Sequence, residues 1–134
     1  MSTGSPTYDG KSPYVQDRHI VNMTADENLT TTGQAVYVDF DWGVKATTGS
    51  DKAIFGITLT KANSGNKIAV VTRGIVYGTA AAATSAGYTF YAGTGTGRIA
   101  QATPANCATA AVPVRGIAIS SCAGAGSGVY LALF

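Results

Sequence analysis

Few side chains in this 134-residue sequence are of types that do chemistry, and their spacing argues against most of it. The single histidine, His19, stands beside Asp17 and Arg18. A nucleophile relay needs an imidazole between a hydroxyl or thiol and a carboxylate, and a histidine metal cluster needs a second imidazole. Neither spacing is present, so His19 reads as non-catalytic. Asp39 and Asp41 lie two residues apart and share a face if that segment is extended, the arrangement of a cation site or a carboxylate pair. They read better as solvated residues beside a turn, because the internal repeat described below puts glycines at the matching places. Gly93-Thr-Gly-Thr-Gly97 has the texture of a phosphate loop, but neither the Gly-Lys-Ser/Thr that should follow nor a long helix whose N-terminus would face the anion. A glycine-rich hairpin turn explains it. Cys107 and Cys122 are too few for a disulfide framework or a four-ligand zinc site and read as small, half-buried residues, with a single disulfide as the alternative. No catalytic residue, metal ligand or cofactor is therefore expected, and the chain is not read as an enzyme. Trp42 remains as a candidate interface anchor, or as an indole folded over the end of a barrel.

The bulk composition points the same way. Charged residues make up 12% of the chain, against about 25% in an average soluble protein, and 17 glycines accompany many Ala, Thr and Ser. With a net charge of +2 and its nine Lys and Arg scattered singly, the sequence carries no electrostatic footprint for nucleic acid. No apolar run approaches the roughly 20 residues that span a bilayer, and the first residues lack the basic and apolar regions of a signal peptide. A soluble protein made in the cytoplasm, with neither a nucleic acid nor a membrane as partner, is the expectation.

The elements that must position these residues are strands. Residues 1–19 are broken by Gly4, Pro6, Gly10 and Pro13, and with only Tyr8 and Tyr14 as large groups they predict an extended N-terminal arm. From residue 20 to 134 short runs of Val, Ile, Tyr and Phe alternate with Gly, Ser, Thr, Asn and Asp, the pattern of a single β-rich domain. Within it a repeat is legible. Gly33-Gln-Ala-Val-Tyr37 lies over Gly87-Tyr-Thr-Phe-Tyr91, and Gly43-Val-Lys-Ala46 over Gly97-Arg-Ile-Ala100, at an offset of 54 residues that sets Trp42 over Thr96. After a six-residue insertion, Phe55-Gly-Ile-Thr-Leu59 lies over Arg115-Gly-Ile-Ala-Ile119 and Ile68-Ala-Val-Val71 over Gly128-Val-Tyr-Leu131. Repeat one then covers about 20–73 and repeat two about 74–134, with Gly74 at a bend where one strand passes between sheets. Thr79 and the alanines after it have room for one helical turn, too short to be stable alone. The expected architecture is an all-β small barrel or rolled sandwich, made of two repeated strand units around one shared core.

The run Gly87-Tyr-Thr-Phe-Tyr-Ala-Gly-Thr-Gly-Thr-Gly-Arg-Ile-Ala100, with Val114-Arg-Gly-Ile-Ala-Ile119 and the closing Gly128-Val-Tyr-Leu-Ala-Leu-Phe134, resembles the C-terminal half of tailed-phage head decoration (cement) proteins. The resemblance implies a virion structural protein on the outer surface of an icosahedral bacteriophage capsid. Such a protein bridges major capsid subunits and stabilises the shell as a β-barrel homotrimer. It also implies that the arm orders on the shell, with Pro6, Tyr8, Pro13 and Tyr14 as its capsid-binding residues. The duplication departs from the family pattern and leaves a monomer or dimer open. Another phage module from a tail or fibre, or a carbohydrate-binding barrel using Trp42 and nearby tyrosines, are the alternatives.

Overall fold

The computed structural model describes residues 18–49, 53–102 and 115–134. Regular structure among them is entirely β: β1 (His19–Ala25), β2 (Ala35–Phe40), β3 (Gly43–Ala46), β4 (Gly56–Thr58), β5 (Lys67–Thr79), β6 (Thr89–Ala92), β7 (Ile99–Gln101), β8 (Gly116–Ala118) and β9 (Gly128–Leu133). The alanines after Thr79 form no helical turn, since Ala80 bridges to Ile99 in parallel and Ala81 and Ala82 bend.

The strands run in the order β1-β3-β2-β4-β5-β9-β8-β6-β7, and β1 also pairs with β5. That extra pairing closes β1 to β5 into a five-stranded barrel, ring one. The second half of β5 continues into β9, β8, β6 and β7, and the Ala80–Ile99 bridge brings β7 back beside the end of β5 to make ring two. A strand of 13 residues is long for a small sheet, and β5 serves both rings. Its first part pairs with β1 and β4, and from Gly74 onward it pairs with β9. Gly74 sits at the crossing with φ +101°, a backbone state that L side chains rarely adopt.

Many backbone bonds of one ring recur in the other. Gly33 N donates to Thr58 O and Gly87 N to Ala118 O; Ala25 N donates to Asn66 O and Ala80 N to Ser127 O. Even a side-chain bond recurs, Ala69 N to Thr60 Oγ1 in one ring and Tyr130 N to Ser120 Oγ in the other. Gly33 therefore matches Gly87, and Gly56 matches Gly116 through their pairings with Val36 and Phe90. Elsewhere the pairings correct the register read from sequence. Val38 faces Val44 and Ala92 faces Ile99, so the β3 to β7 offset is 55 and the extra residue lies in the turn. Trp42 then falls on Gly97 rather than Thr96, and both have a left-handed backbone, φ 60° and φ 66°. Matching glycine to glycine misled the alignment; what the turn repeats is a conformation.

The single shared core expected from sequence is in fact two. Ring one encloses Met23, Leu29, Val36, Val44, Ile68 and Val70. The other cluster fills ring two with Phe90, Ile99, Val129 and Leu131, and also takes in Ala35, Ile57 and Val71. Those last three pair side by side across β2, β4 and β5, on the face opposite to Val36 and Val70. They are the outer wall of ring one, and ring two covers them. Fully burying an Ile or Val contributes about 1.5–3 kcal/mol, so this wall is a substantial part of what holds the rings together.

Candidate docking surfaces

The hairpin between β2 and β3 carries the one tryptophan. Phe40 pairs with Gly43 across the turn and Trp42 O accepts from Thr24 N at 2.7 Å, fixing the turn against β1. A bulky residue with positive φ is an outlier that surrounding structure must hold in place. Trp42 is nevertheless 66% exposed, so burial of its indole does not compensate the strain within this chain. Of the two readings of Trp42, the exposed one describes the structure. Val38 keeps the strand face of buried Val36, but a register shift between Val38 and Phe40 pairs Phe40 with Gly43 and turns its ring onto the Gly43 face. Both Val38 and Phe40 are exposed.

A second apolar surface lies on the outer wall of ring two. Ile117 pairs with Ala132 and Thr89, and Ala132 pairs with Ile75, so these four side chains form one row across four strands. Beside that row, Tyr77 pairs with Tyr130, their rings 4.7 Å apart and inclined at 62°. Ile119 and Phe134 extend the same region with exposed side chains. Aromatic pairs left in solvent gain little of their burial energy, which makes them suited to a partner surface.

Arg115 fastens the rings. Its guanidinium donates to the Ile54 and Phe55 carbonyls of ring one at 3.0 and 3.1 Å, and also to the carbonyls of Thr72 and Phe134. Burial holds its pKa below the ordinary arginine range. Gly97 completes the seam: its O accepts from Ala35 N at 2.8 Å and its N donates to Thr47 O at 2.7 Å. Gln34 Oε1 and Thr47 Oγ1, both close to this seam, are buried without a hydrogen-bond partner among the described residues.

The residues weighed for chemistry are dispersed. His19 opens β1 in an exposed position and its carbonyl accepts from Thr72 Oγ1 at 3.2 Å. Asp39 neighbours Asp26 closely enough to act on its carboxyl by hydrogen bonding and by charge. That hydrogen bonding, some desolvation and the Asp39 charge raise the Asp26 pKa, while Lys45 at 4.0 Å draws it down. Long-range pairing of β1 with β3 brings Asp26 there, which no local pattern in the sequence announces. The segment 93–97 forms the expected β6–β7 hairpin, with Gly93 N donating to Arg98 O at 2.8 Å. Cys122 Sγ lies 3.7 Å from Ala82 O, and Cys107 lies outside the described residues. Pro6, Tyr8, Pro13 and Tyr14 lie outside them as well. No cluster of three or more His, Cys, Asp or Glu that would hold a metal occurs among the described residues.

Comparison with solved structures finds the crystal structure of the N base of the head fiber protein gp8.5 from bacteriophage phi29. It superposes with a TM-score of 0.58 at 15% identity, over 88% of this chain and 95% of that one. This chain shares that fold. No protein-family model matches the sequence, and no curated protein does.

Proposed function

We propose that this protein is a phage virion structural protein that decorates the exterior of an icosahedral capsid and stabilises it by bridging major capsid subunits. The observation that carries the reading is the likeness to a phage head fiber base over nearly the whole of both chains. The residues add to it: a nearly neutral surface with 12% charged residues and exposed aromatic groups without a catalytic set favour broad contact over turnover. The protein is accordingly not an enzyme, and needs no cofactor, nucleic acid or membrane.

Residues 1–17, with Pro6, Tyr8, Pro13 and Tyr14, act as the capsid-binding arm in this proposal. Ordering an arm costs about 1–2 kcal/mol per residue in backbone entropy, so its aromatic contacts must exceed that, and its prolines lessen it. Assembly as a homotrimer raises the effective concentration of each further contact, so that modest single contacts hold firmly. The test is cosedimentation of the purified protein with mature phage heads that lack it. Binding that weakens at least tenfold on deletion of residues 1–17 is expected, tenfold being about 1.4 kcal/mol. Absence of binding by the full chain would refute the capsid role, and unchanged binding of the shortened chain would remove the arm from it.

A further inference from the structure

The duplication makes two walls equivalent, and among the described residues only one of them is covered. Ile57, Ala35 and Val71 on the outside of ring one correspond to Ile117, Thr89 and Ala132 on the outside of ring two. Ile57 is 0% exposed and Ile117 is 36% exposed. Leu59 packs against the second core, while its counterpart Ile119 is 46% exposed. Gly33 lies so close to ring two that an added Cβ would meet the Tyr77 carbonyl at 3.0 Å, whereas a Cβ on Gly87 would meet nothing within 4 Å. Ring two thus carries, in the open, the apolar wall that in ring one is an established interface.

The mating part is equally unequal. Ring two docks on ring one through its β6–β7 hairpin, where Gly97 is buried against Gln34 and bonded to Ala35 and Thr47. The corresponding hairpin of ring one ends in Trp42, which has the same backbone conformation and is exposed. One chain therefore presents an uncovered wall at one end and an uncovered mating hairpin at the other.

We propose that the outer wall of ring two, around Ile117 and Ile119, is the docking site for ring one of a second copy of this chain, entered by the Phe40–Trp42 hairpin. The contact continues the interface between the two rings of one chain. It is heterologous, because the two surfaces that meet are different, and successive copies close into a ring or extend in line. Trp42 replaces the small Gly97 at the tip and the exposed Tyr88 stands where ring one has Gln34, so the contact between copies sets two aromatic side chains where the seam within the chain is tight around a glycine. The proposal gives the self-association suggested above its interface, without depending on the capsid reading.

Two variants test it in the full chain. Trp42→Gly keeps a residue suited to positive φ, and Ile119→Glu places a charge on an exposed position; both are expected to keep the far-ultraviolet spectrum and melting temperature of the parent. Sedimentation equilibrium of the parent should show reversible association, and each variant should weaken it at least tenfold, as for the loss of a hot spot. An equimolar mixture of the two variants should form a 1:1 dimer and nothing larger, because each mixed pair keeps one intact interface. A parent that stays monomeric, variants that associate as the parent does, or a mixture that stays monomeric would each overturn the proposal. So would association that emerges only after deletion of residues 1–17, since the arm would then be the occupant. A chain that is monomeric yet binds phage heads would overturn this inference and leave the capsid role standing.

Discussion

Thr47 has a hydroxyl with no partner among the described residues in a position of zero exposure, and this makes it the clearest single-residue test of the seam between the rings. Leaving a hydroxyl buried and unpaired costs about 1–3 kcal/mol, and valine has nearly the same shape without it. Thr47→Val should therefore raise the stability to urea by about 1 kcal/mol, provided the backbone bond from Gly97 to Thr47 O is kept. A loss of stability would mean that the hydroxyl is satisfied. Asp26 makes a different prediction. Its pKa is raised above the ordinary 3.8, chiefly by the bond to Asp39, so the folded chain holds this proton more tightly than the unfolded chain. The stabilisation from the shared proton is complete below the unfolded value and is lost as the pH rises through the folded one. Asp26→Asn keeps a donor towards Asp39 without that titration. Urea midpoints measured from about pH 3 to pH 7 should fall less steeply with rising pH in the variant than in the parent, and parallel profiles would remove Asp26 as the cause. Trp42 could be singled out from its type alone, but the Asp26–Asp39 pair could not. Sequence spacing offered Asp39 and Asp41, and only the parallel pairing of Thr24 and Ala25 with Gly43 and Val44 brings Asp26 to the hairpin.

At the scale of elements, β5 decides how two barrels fit into one chain, and Gly74 decides β5. A side chain at Gly74 would have to adopt φ +101°, and its Cβ would lie 3.0 Å from the Arg18 Cα. Gly74→Ala should cost about 1–3 kcal/mol, read as a lower urea midpoint, from backbone strain together with the displaced start of β1. Gly65→Ala is the internal control: it also has positive φ, at +91°, but nothing lies within 4 Å, so it should cost less than Gly74→Ala. Equal losses would assign the whole effect to φ and none to the close approach. The bend at Gly74 was legible in the sequence because glycine interrupts a long β-branched run. The one-residue register error between β3 and β7 arose from the opposite circumstance: glycines are common here, and several can be matched by chance. The left-handed turn position, held by Trp42 in one ring and Gly97 in the other, is visible only in the backbone. The strand faces were legible from alternation, as with Ile117 and Ile119. Which of two equivalent faces is open was not, because alternation is the same in both copies and only the docking of ring two on ring one distinguishes them.

For the whole molecule, the arrangement of cores bears on whether the rings unfold together. Ring one has its own interior cluster, which taken alone suggests an independent unit. Against this, its outer wall of Ala35, Ile57 and Val71 belongs to the other cluster, β5 is common to both rings, and Arg115 of ring two holds the Ile54 and Phe55 carbonyls of ring one. Separating the rings would expose that wall and leave those carbonyls without their charged donor, so cooperative unfolding of the described domain is the expected behaviour. The single tryptophan makes this measurable at dilutions where the chain is monomeric, because Trp42 then sits on ring one, bonded to Thr24. Ile99→Val trims one methylene from the interior of ring two, where Ile99 is fully buried, and should cost about 0.5–1.5 kcal/mol. If the rings form one cooperative unit, the urea midpoint followed by Trp42 fluorescence in ring one must fall by as much as the midpoint followed by far-ultraviolet dichroism, although the substitution lies in the other ring. A fluorescence midpoint that stays at the parental value while the dichroism curve separates into two steps would show that each ring stands by itself. In that case the wall of ring one is held by ring two no more firmly than a partner molecule would hold it.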